Sequence, residues 1–353
     1  MKKLIILLVA SLVVVSCNNS GSNKTARNRN VTLSAAGATF PLPFYNLAFK
    51  KYAEATGVTV NYGGIGSGGG IKSLRDKVVD FGATDAFLSD EELVTMSEPV
   101  VHIPTCIGGV VLAYNLPGIT GLKLTPEIIE GIFLGGITKW NDPKIAAVNK
   151  DLSLPDLKIT VVYRSDGSGT TYIFSDYMTK AGKLWGEKIG TGKSLNWPVG
   201  IAAKGNPGVA GTISQSAGTI GYIGYEFAVA QKIPAAAVAN SSGNFIEPNL
   251  QSLSAAASID IPADTRVMLT NSSNPQAYPI TSFTWIILYK EQAYGNHSQA
   301  NAEATVRAVK WLTESDAQSI ATSVNYAPLP QKAVEQASKV LSVVTFNGTP
   351  ILR

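Results

Sequence analysis

Residues 164–171 read Arg164-Ser165-Asp166-Gly167-Ser168-Gly169-Thr170-Thr171, directly after the apolar run Ile159 to Tyr163. A short β-branched and aromatic run that gives way to glycine and hydroxyl residues predicts a strand, a tight turn and the start of a helix. First-turn N–H groups of a helix lack intrahelical partners, and small residues let an anion approach them. Two other stretches have the same composition: Ala36-Gly37-Ala38-Thr39-Phe40-Pro41 and Gly64-Ile65-Gly66-Ser67-Gly68-Gly69-Gly70. Each precedes a predicted helix, and the second also follows a predicted strand. One such turn is ordinary loop punctuation, whereas three in one chain, one of them with an adjacent arginine, predict several helix N-termini converging on one oxyanion.

Around these turns the chain alternates short apolar strands with helical stretches from Val31 onward, the pattern of an α/β fold. Val58 to Tyr62 and Val78 to Ala83 read as strands, as does Ile159 to Tyr163. Ser89-Asp90-Glu91-Glu92 has the spacing of a capping box. Thr125-Pro126 and Asp142-Pro143 each place an N-cap residue before a proline at the first helical position. Ala302, Val306 and Val309 recur at helical spacing and lead into Trp311 and Leu312, predicting one buried face.

The chain has 353 residues, 45% of them hydrophobic and 15% charged, enough for about two domains with sizeable cores. Its net charge of +4 is misleading. Lys2, Lys3, Lys24, Arg27 and Arg29 fall in residues 1–30 with no acid among them, which leaves 24 basic against 25 acidic side chains in the remainder. A body so nearly neutral has no whole-domain footprint for nucleic acid. The N-terminus runs from Lys2-Lys3 into an apolar segment, Leu4 to Val15, broken only by Ser11. That length is too short to span a bilayer and matches an export signal over residues 1–16. The ending Val14-Val15-Ser16-Cys17 resembles a bacterial lipobox, which would make Cys17 the lipidated N-terminus and residues 17–30 a flexible tether to the membrane. Cys106, in an apolar run, is then the only other cysteine, with no disulfide partner and the setting of a packed thiol.

Competing site chemistries can be checked residue by residue. Around Gly192-Lys193-Ser194 a phosphate-binding loop of the Walker type would need glycine at the position held by Glu187. Gly64, Gly66 and Gly69 fit the dinucleotide spacing with Asp85 about 20 residues on, a weak pattern by itself in an exported chain. Ser168 lacks the flanking glycine of a nucleophile elbow, and the two histidines, His102 and His297, are remote from it in sequence. A secreted serine phosphatase or esterase using Ser168 therefore stays as the enzymatic alternative. Two histidines and one thiol offer little for a zinc site, and no cofactor is expected.

Read together, the motifs resemble a known family, the phosphate-binding lipoproteins of high-affinity phosphate ABC importers. The resemblance runs from Ser34 to about Ala337. It includes Gly37-Ala38-Thr39-Phe40-Pro41, Tyr62 to Ser67, Asp80 to Asp85, Ile107 to Ala113, Thr138 to Pro143, Arg164 to Thr170, Gly221 to Tyr225, Tyr278 to Thr281 and Tyr326 to Pro330. It implies a two-lobed periplasmic-binding-protein fold (type II), each lobe a mixed sheet flanked by helices, joined by a two-stranded hinge. Lobe 1 would comprise residues 31–113 plus 287–353 and lobe 2 residues 114–286. The family's phosphate site falls on Thr39, Phe40, Ser67, Asp85, Arg164, Ser168, Gly169 and Thr170, with Asp166 holding the Arg164 fork. Asp85 reads either as a helix cap or as the selector that accepts a proton from phosphate and repels sulfate. The resemblance further implies a non-enzymatic, extracytoplasmic, monomeric receptor that delivers inorganic phosphate to a membrane permease driven by a separate ATPase. A receptor for sulfate or molybdate is the nearest alternative.

Overall fold

The strand Val100–Tyr114 is buried from His102 to its end, as its nearly unbroken apolar sequence requires of a strand covered on both faces. It belongs to a computed structural model that describes residues 31–352; the export signal and tether expected over residues 1–30, with Cys17, lie outside the described residues. Val100 to Gly109 pair antiparallel with Thr281–Tyr289, and Val110 to Tyr114 pair antiparallel with Thr219–Gly224. One strand thus serves two halves of a curled eight-stranded sheet. Its order is Thr59–Gly64, Thr32–Gly37, Phe81–Thr84, Thr281–Tyr289, Val100–Tyr114, Thr219–Gly224, Thr160–Arg164, Ile201–Ala203. The first three strands are mutually parallel, as are the last three. Each half is therefore a mixed sheet.

Two large cores follow from this division. One gathers side chains of the Thr32–Gly37 half with the C-terminal helices Gln299–Leu312, Ser315–Ser323 and Gln331–Ser342. The other fills the half built on Thr160–Arg164 and Thr219–Gly224, flanked by helices Gly169–Ala181 and Gly205–Gln215. The predicted strands form at Thr59–Gly64, Phe81–Thr84 and Thr160–Arg164. Ser89 and Glu92 complete the capping box, and Thr125 and Asp142 cap helices with proline in the first turn. Ala302, Val306, Val309 and Leu312 are buried on one helix face, while Trp311 is half-buried against Tyr52.

Register sets the location of the turns. Gly37 lies opposite both Gly64 and Ala83, and Arg164 lies opposite Ala203. The carboxyl ends of the parallel strands are thus level, and the chain leaves each toward the crevice between the halves, where α/β sheets bind ligands. In the long strand, Pro104 has no N–H to donate to the ladder, and a β-bulge accommodates it: Thr284 pairs with Cys106 but Trp285 with Pro104. Thr284, at this irregularity, reaches back to Asp85.

Gly108 sits where the sheet passes from one half to the other, and a Cβ there would lie 2.3 Å from the Phe40 ring. Gly108→Ala is expected to push that ring aside at a cost of about 1–3 kcal/mol. The change would be read as a lower urea midpoint at unchanged m-value; an unaltered midpoint would mean that the ring moves without penalty.

Candidate functional site

All three glycine- and hydroxyl-rich turns join a strand to a helix, and they meet at the crevice. Thr39 and Phe40 precede helix Leu42–Thr56, Ser67 opens helix Ser67–Arg75, and Ser168 caps helix Gly169–Ala181. The turns are held by backbone contacts: Ala38 N–H donates to Ala83 O at 3.0 Å, and the N–H groups of Ile65 and Gly66 both donate to Gly37 O at 2.9 Å. Gly66 has φ +91°, which favours glycine, and a Cβ there would lie 2.4 Å from Asp166 Oδ2 on the facing turn.

The structure brings Thr39, Ser67, Asp85, Arg164, Ser168 and Thr170 together, all buried. Arg164 donates through Nε to Asp166 Oδ1 at 2.8 Å and through Nη2 to Asp166 Oδ2 at 2.5 Å, a bidentate fork. Its Nη1 donates to Thr170 Oγ1 at 3.2 Å, which leaves two of the five guanidinium N–H bonds uncommitted. Burial pushes Asp166 up, but the hydrogen bonds and charge of Arg164 outweigh it and hold the carboxyl below its usual range. Ser67 Oγ accepts from Asp85 N at 3.2 Å and, across the crevice, from Gly169 N at 3.1 Å. A second backbone link across the crevice runs from Gly68 N to Gly167 O at 2.9 Å, and a salt bridge joins Lys193 to Glu92 at 2.7 Å.

Asp85 has no helix to cap, since the next one begins after Ser89. Its Oδ1 accepts from Thr284 Oγ1 at 2.7 Å, while Oδ2 is buried without a hydrogen-bond partner. Burial pushes this carboxyl up to about 7, against the opposing pull of the Thr284 hydroxyl, Arg164 and Ser67. Gly169 faces it closely, for a Cβ at Gly169 would be 2.6 Å from Asp85 Oδ2. Phe40 contributes differently: its ring is fully buried and its carbonyl accepts from the Tyr326 hydroxyl at 2.5 Å, so only its backbone N–H is suited to a ligand.

Two buried features lie beyond the sequence prediction, the first of them in the site. Asn206, at the start of helix Gly205–Gln215, donates from N and Nδ2 to Thr39 Oγ1, at 3.1 Å each, and from Nδ2 to Thr170 Oγ1 at 3.0 Å. Its signal was another strand–glycine–helix junction, Ala203-Lys204-Gly205-Asn206, obscured because the strand before it is only three residues long and mostly exposed. Glu226, next to the Thr219–Gly224 strand, is buried with neither carboxyl oxygen partnered, and burial holds its carboxyl well above the usual range.

The enzymatic alternative finds no support in this geometry. Ser168 Oγ accepts from Thr171 N at 3.0 Å as a helix cap. His102 Nε2 accepts from Leu88 N at 3.0 Å, and His297 Nε2 pairs with Asp80 Oδ1 at 2.8 Å. Burial lowers His102 to about 3, which keeps it neutral. Among the described residues no group of three or more His, Cys, Asp and Glu could hold a metal ion, and no helix is long and apolar enough to cross a membrane.

Comparison with known proteins places the chain in a family. The PBP superfamily domain matches residues 21–312. A protein named phosphate-binding protein PstS from Xylella fastidiosa (strain 9a5c) is 38% identical over 324 residues, spanning 90% of this chain and 87% of its own. The PstS of Pasteurella multocida is also 38% identical, over 86% of this chain and 88% of its own. The chain belongs to the PstS phosphate-binding protein family. Among solved structures, the phosphate-binding protein of Stenotrophomonas maltophilia superposes with a TM-score of 0.67 at 20% identity, covering 91% of this chain and 96% of that one. The ABC-type phosphate transport receptor of Vibrio cholerae gives 0.52 at 19% identity, covering 84% and 100%. At such identities these likenesses speak for the fold alone, the two-lobed α/β fold of binding proteins.

Asp85 and Glu226 both bind protons more readily folded than unfolded. A raised carboxyl stabilises the fold relative to the unfolded chain least at high pH, so its contribution declines as pH rises from about 4 through the folded-state value. The ligand-free PstS-family chain is therefore expected to lose melting temperature between pH 5 and pH 8. Glu226→Gln should flatten that decline and raise the pH 8 value, at roughly 2 °C per kcal/mol for a chain of this size. An unchanged slope in thermal scans would show that the Glu226 carboxyl binds no more protons in the folded than in the unfolded chain across that window.

Proposed function

We propose that this chain is an extracytoplasmic receptor that closes two lobes over inorganic phosphate and presents it to the permease of an ABC importer powered by a separate ATPase. The observation that carries the reading is Asp85 Oδ2: a buried, unpartnered carboxyl oxygen close to a helix N-terminus and in the field of the Arg164 cation. The N-terminus and Arg164 favour an anion, while Asp85 needs a donor. Phosphate near neutral pH brings charge and a proton together, whereas sulfate brings charge alone.

In this reading the phosphate ligands are the hydroxyls of Thr39, Ser67, Ser168 and Thr170, the backbone N–H groups of Phe40, Gly169 and Thr170, the Arg164 guanidinium and the Asp85 carboxyl, with Asp166 anchoring Arg164. The Gly169 N–H, directed to Ser67 Oγ in the present structure, turns to the ligand on binding. The pairing of strands supports crossings near Gly109/Val110 and Ile280/Thr281, each a few residues before the division at 113/114 and 286/287 drawn from sequence. Closure is then a rotation about two adjacent strands, driven by the anion's higher affinity for the closed form. The receptor has no catalytic step. It is exported, processed before Cys17 and held to the membrane by acyl chains on that residue, as a monomer.

Titration calorimetry on the anion-free protein should give one-to-one phosphate binding and no heat with sulfate. Asp85→Asn should weaken phosphate and admit sulfate, because discrimination by a stranded buried polar group reaches about 10⁴–10⁵. Comparable sulfate binding by the wild type would sink the phosphate assignment, and silence with both anions would sink the receptor reading. For the anchor, Cys17→Ser in the exporting host should abolish palmitate labelling and move the protein out of the membrane fraction; persistent labelling would contradict lipidation at Cys17.

A further inference from the structure

Asn206 is fully buried, and its amide is oriented by its neighbours. Oδ1 accepts from Gly224 N at 3.0 Å, which turns Nδ2 toward the two threonines. Thr39 Oγ1 therefore accepts twice, from Asn206 N and Asn206 Nδ2. Thr170 Oγ1 also accepts twice, from Arg164 Nη1 and Asn206 Nδ2. A hydroxyl oxygen has two acceptor positions and one hydrogen. With both positions occupied on each threonine, the only remaining hydrogen-bonding act of either hydroxyl is to donate.

We propose that Asn206 is a positioning and specificity-determining residue: by filling both acceptor positions of Thr39 and, with Arg164, those of Thr170 on the other side of the crevice, it forces both hydroxyls to act as donors. The inference rests on the phosphate-receptor reading above and adds to it which protonation state is taken. Donor-only hydroxyls require bare oxygens on the ligand, so the dianion HPO₄²⁻ is preferred over H₂PO₄⁻. A hydroxyl with a vacant acceptor position can turn and receive a second ligand proton. The same amide also joins the lobes, since Thr39 belongs to one half of the sheet and Asn206 to the other.

The test is calorimetry with phosphate on the full-length protein, at pH values on either side of phosphate's second ionisation. Asn206→Ala is expected to weaken binding by about 10- to 100-fold at high pH and by much less at low pH, where the released hydroxyls can accept from H₂PO₄⁻. In a Thr39→Ala, Thr170→Ala background the same substitution should cost less than about threefold, because its targets are gone. Asn206→Asp keeps the shape and the Gly224 contact but replaces the Nδ2 donor by an acceptor, and should abolish most binding. A loss equal at both pH values and undiminished in the double-threonine background would overturn the inference while leaving the receptor intact, as would wild-type affinity in Asn206→Asp. A wild-type protein that takes no phosphate at any pH would overturn the receptor reading and this inference with it.

Discussion

A guanidinium that is 1% exposed must be paired where it lies, and the Arg164–Asp166 fork meets that demand. Its consequences extend beyond the pair. Asp166 Oδ1 also accepts from Gly205 N at 3.0 Å, so the carboxylate that anchors the arginine positions the start of helix Gly205–Gln215. That position places Asn206 within reach of Thr39 and Thr170. A single ion pair thus fixes the cation, one helix N-terminus and, through Asn206, the alignment of the facing turn. The Tyr222 hydroxyl reinforces the assembly from below, accepting from Arg164 N at 3.1 Å and bonding Thr171 Oγ1 at 2.8 Å.

The sheet supplies the second constraint. Because Val100–Tyr114 pairs with one half over its first ten residues and with the other over its last five, the two halves are connected by continuous backbone directly behind the site. Gly108 and Phe40 sit at that junction, where the absent side chain of the one admits the ring of the other. The first glycine- and hydroxyl-rich turn is thereby seated on the element that joins the halves. The bulge near Thr284 belongs to the same logic: it absorbs Pro104 and coincides with the threonine that reaches Asp85.

What the sequence revealed follows from how local each cause is. Capping boxes, proline at the first helical position and glycine turns after β-branched runs are decided within four or five residues, and Ser89, Thr125, Asp142 and Ser168 all cap helices in the structure. Asn206 escaped because its significance depends on contacts with Thr39, 167 positions away, and Thr170, 36 positions away. Glu226 escaped for the converse reason: nothing near it in sequence announces that both its oxygens will be buried without partners. The long strand was legible as an apolar run, but not its division between two partners, which only the register of the distant Thr281–Tyr289 strand determines.

Two opposite requirements meet in this crevice. Thr39 and Thr170, their oxygens saturated, can only give hydrogens, and Arg164 can only give them as well. Asp85, with one oxygen unpartnered, can hold a hydrogen bond there only by receiving a proton from the ligand or by carrying one itself. A ligand with no proton satisfies the donors but leaves the carboxylate facing an anion, unless Asp85 takes up a proton, which its upward shift to about 7 makes less costly than for an ordinary carboxyl. A ligand with two protons satisfies Asp85 but presents a hydrogen to a ring of donors. An oxyanion with a single proton meets both demands, and the polarity of the cleft comes from groups that do not all touch it. On the proposed site, selectivity is therefore a property of the hydrogen-bond network as a whole, in which Asn206 and Asp166 decide what the ligand-contacting residues are able to offer.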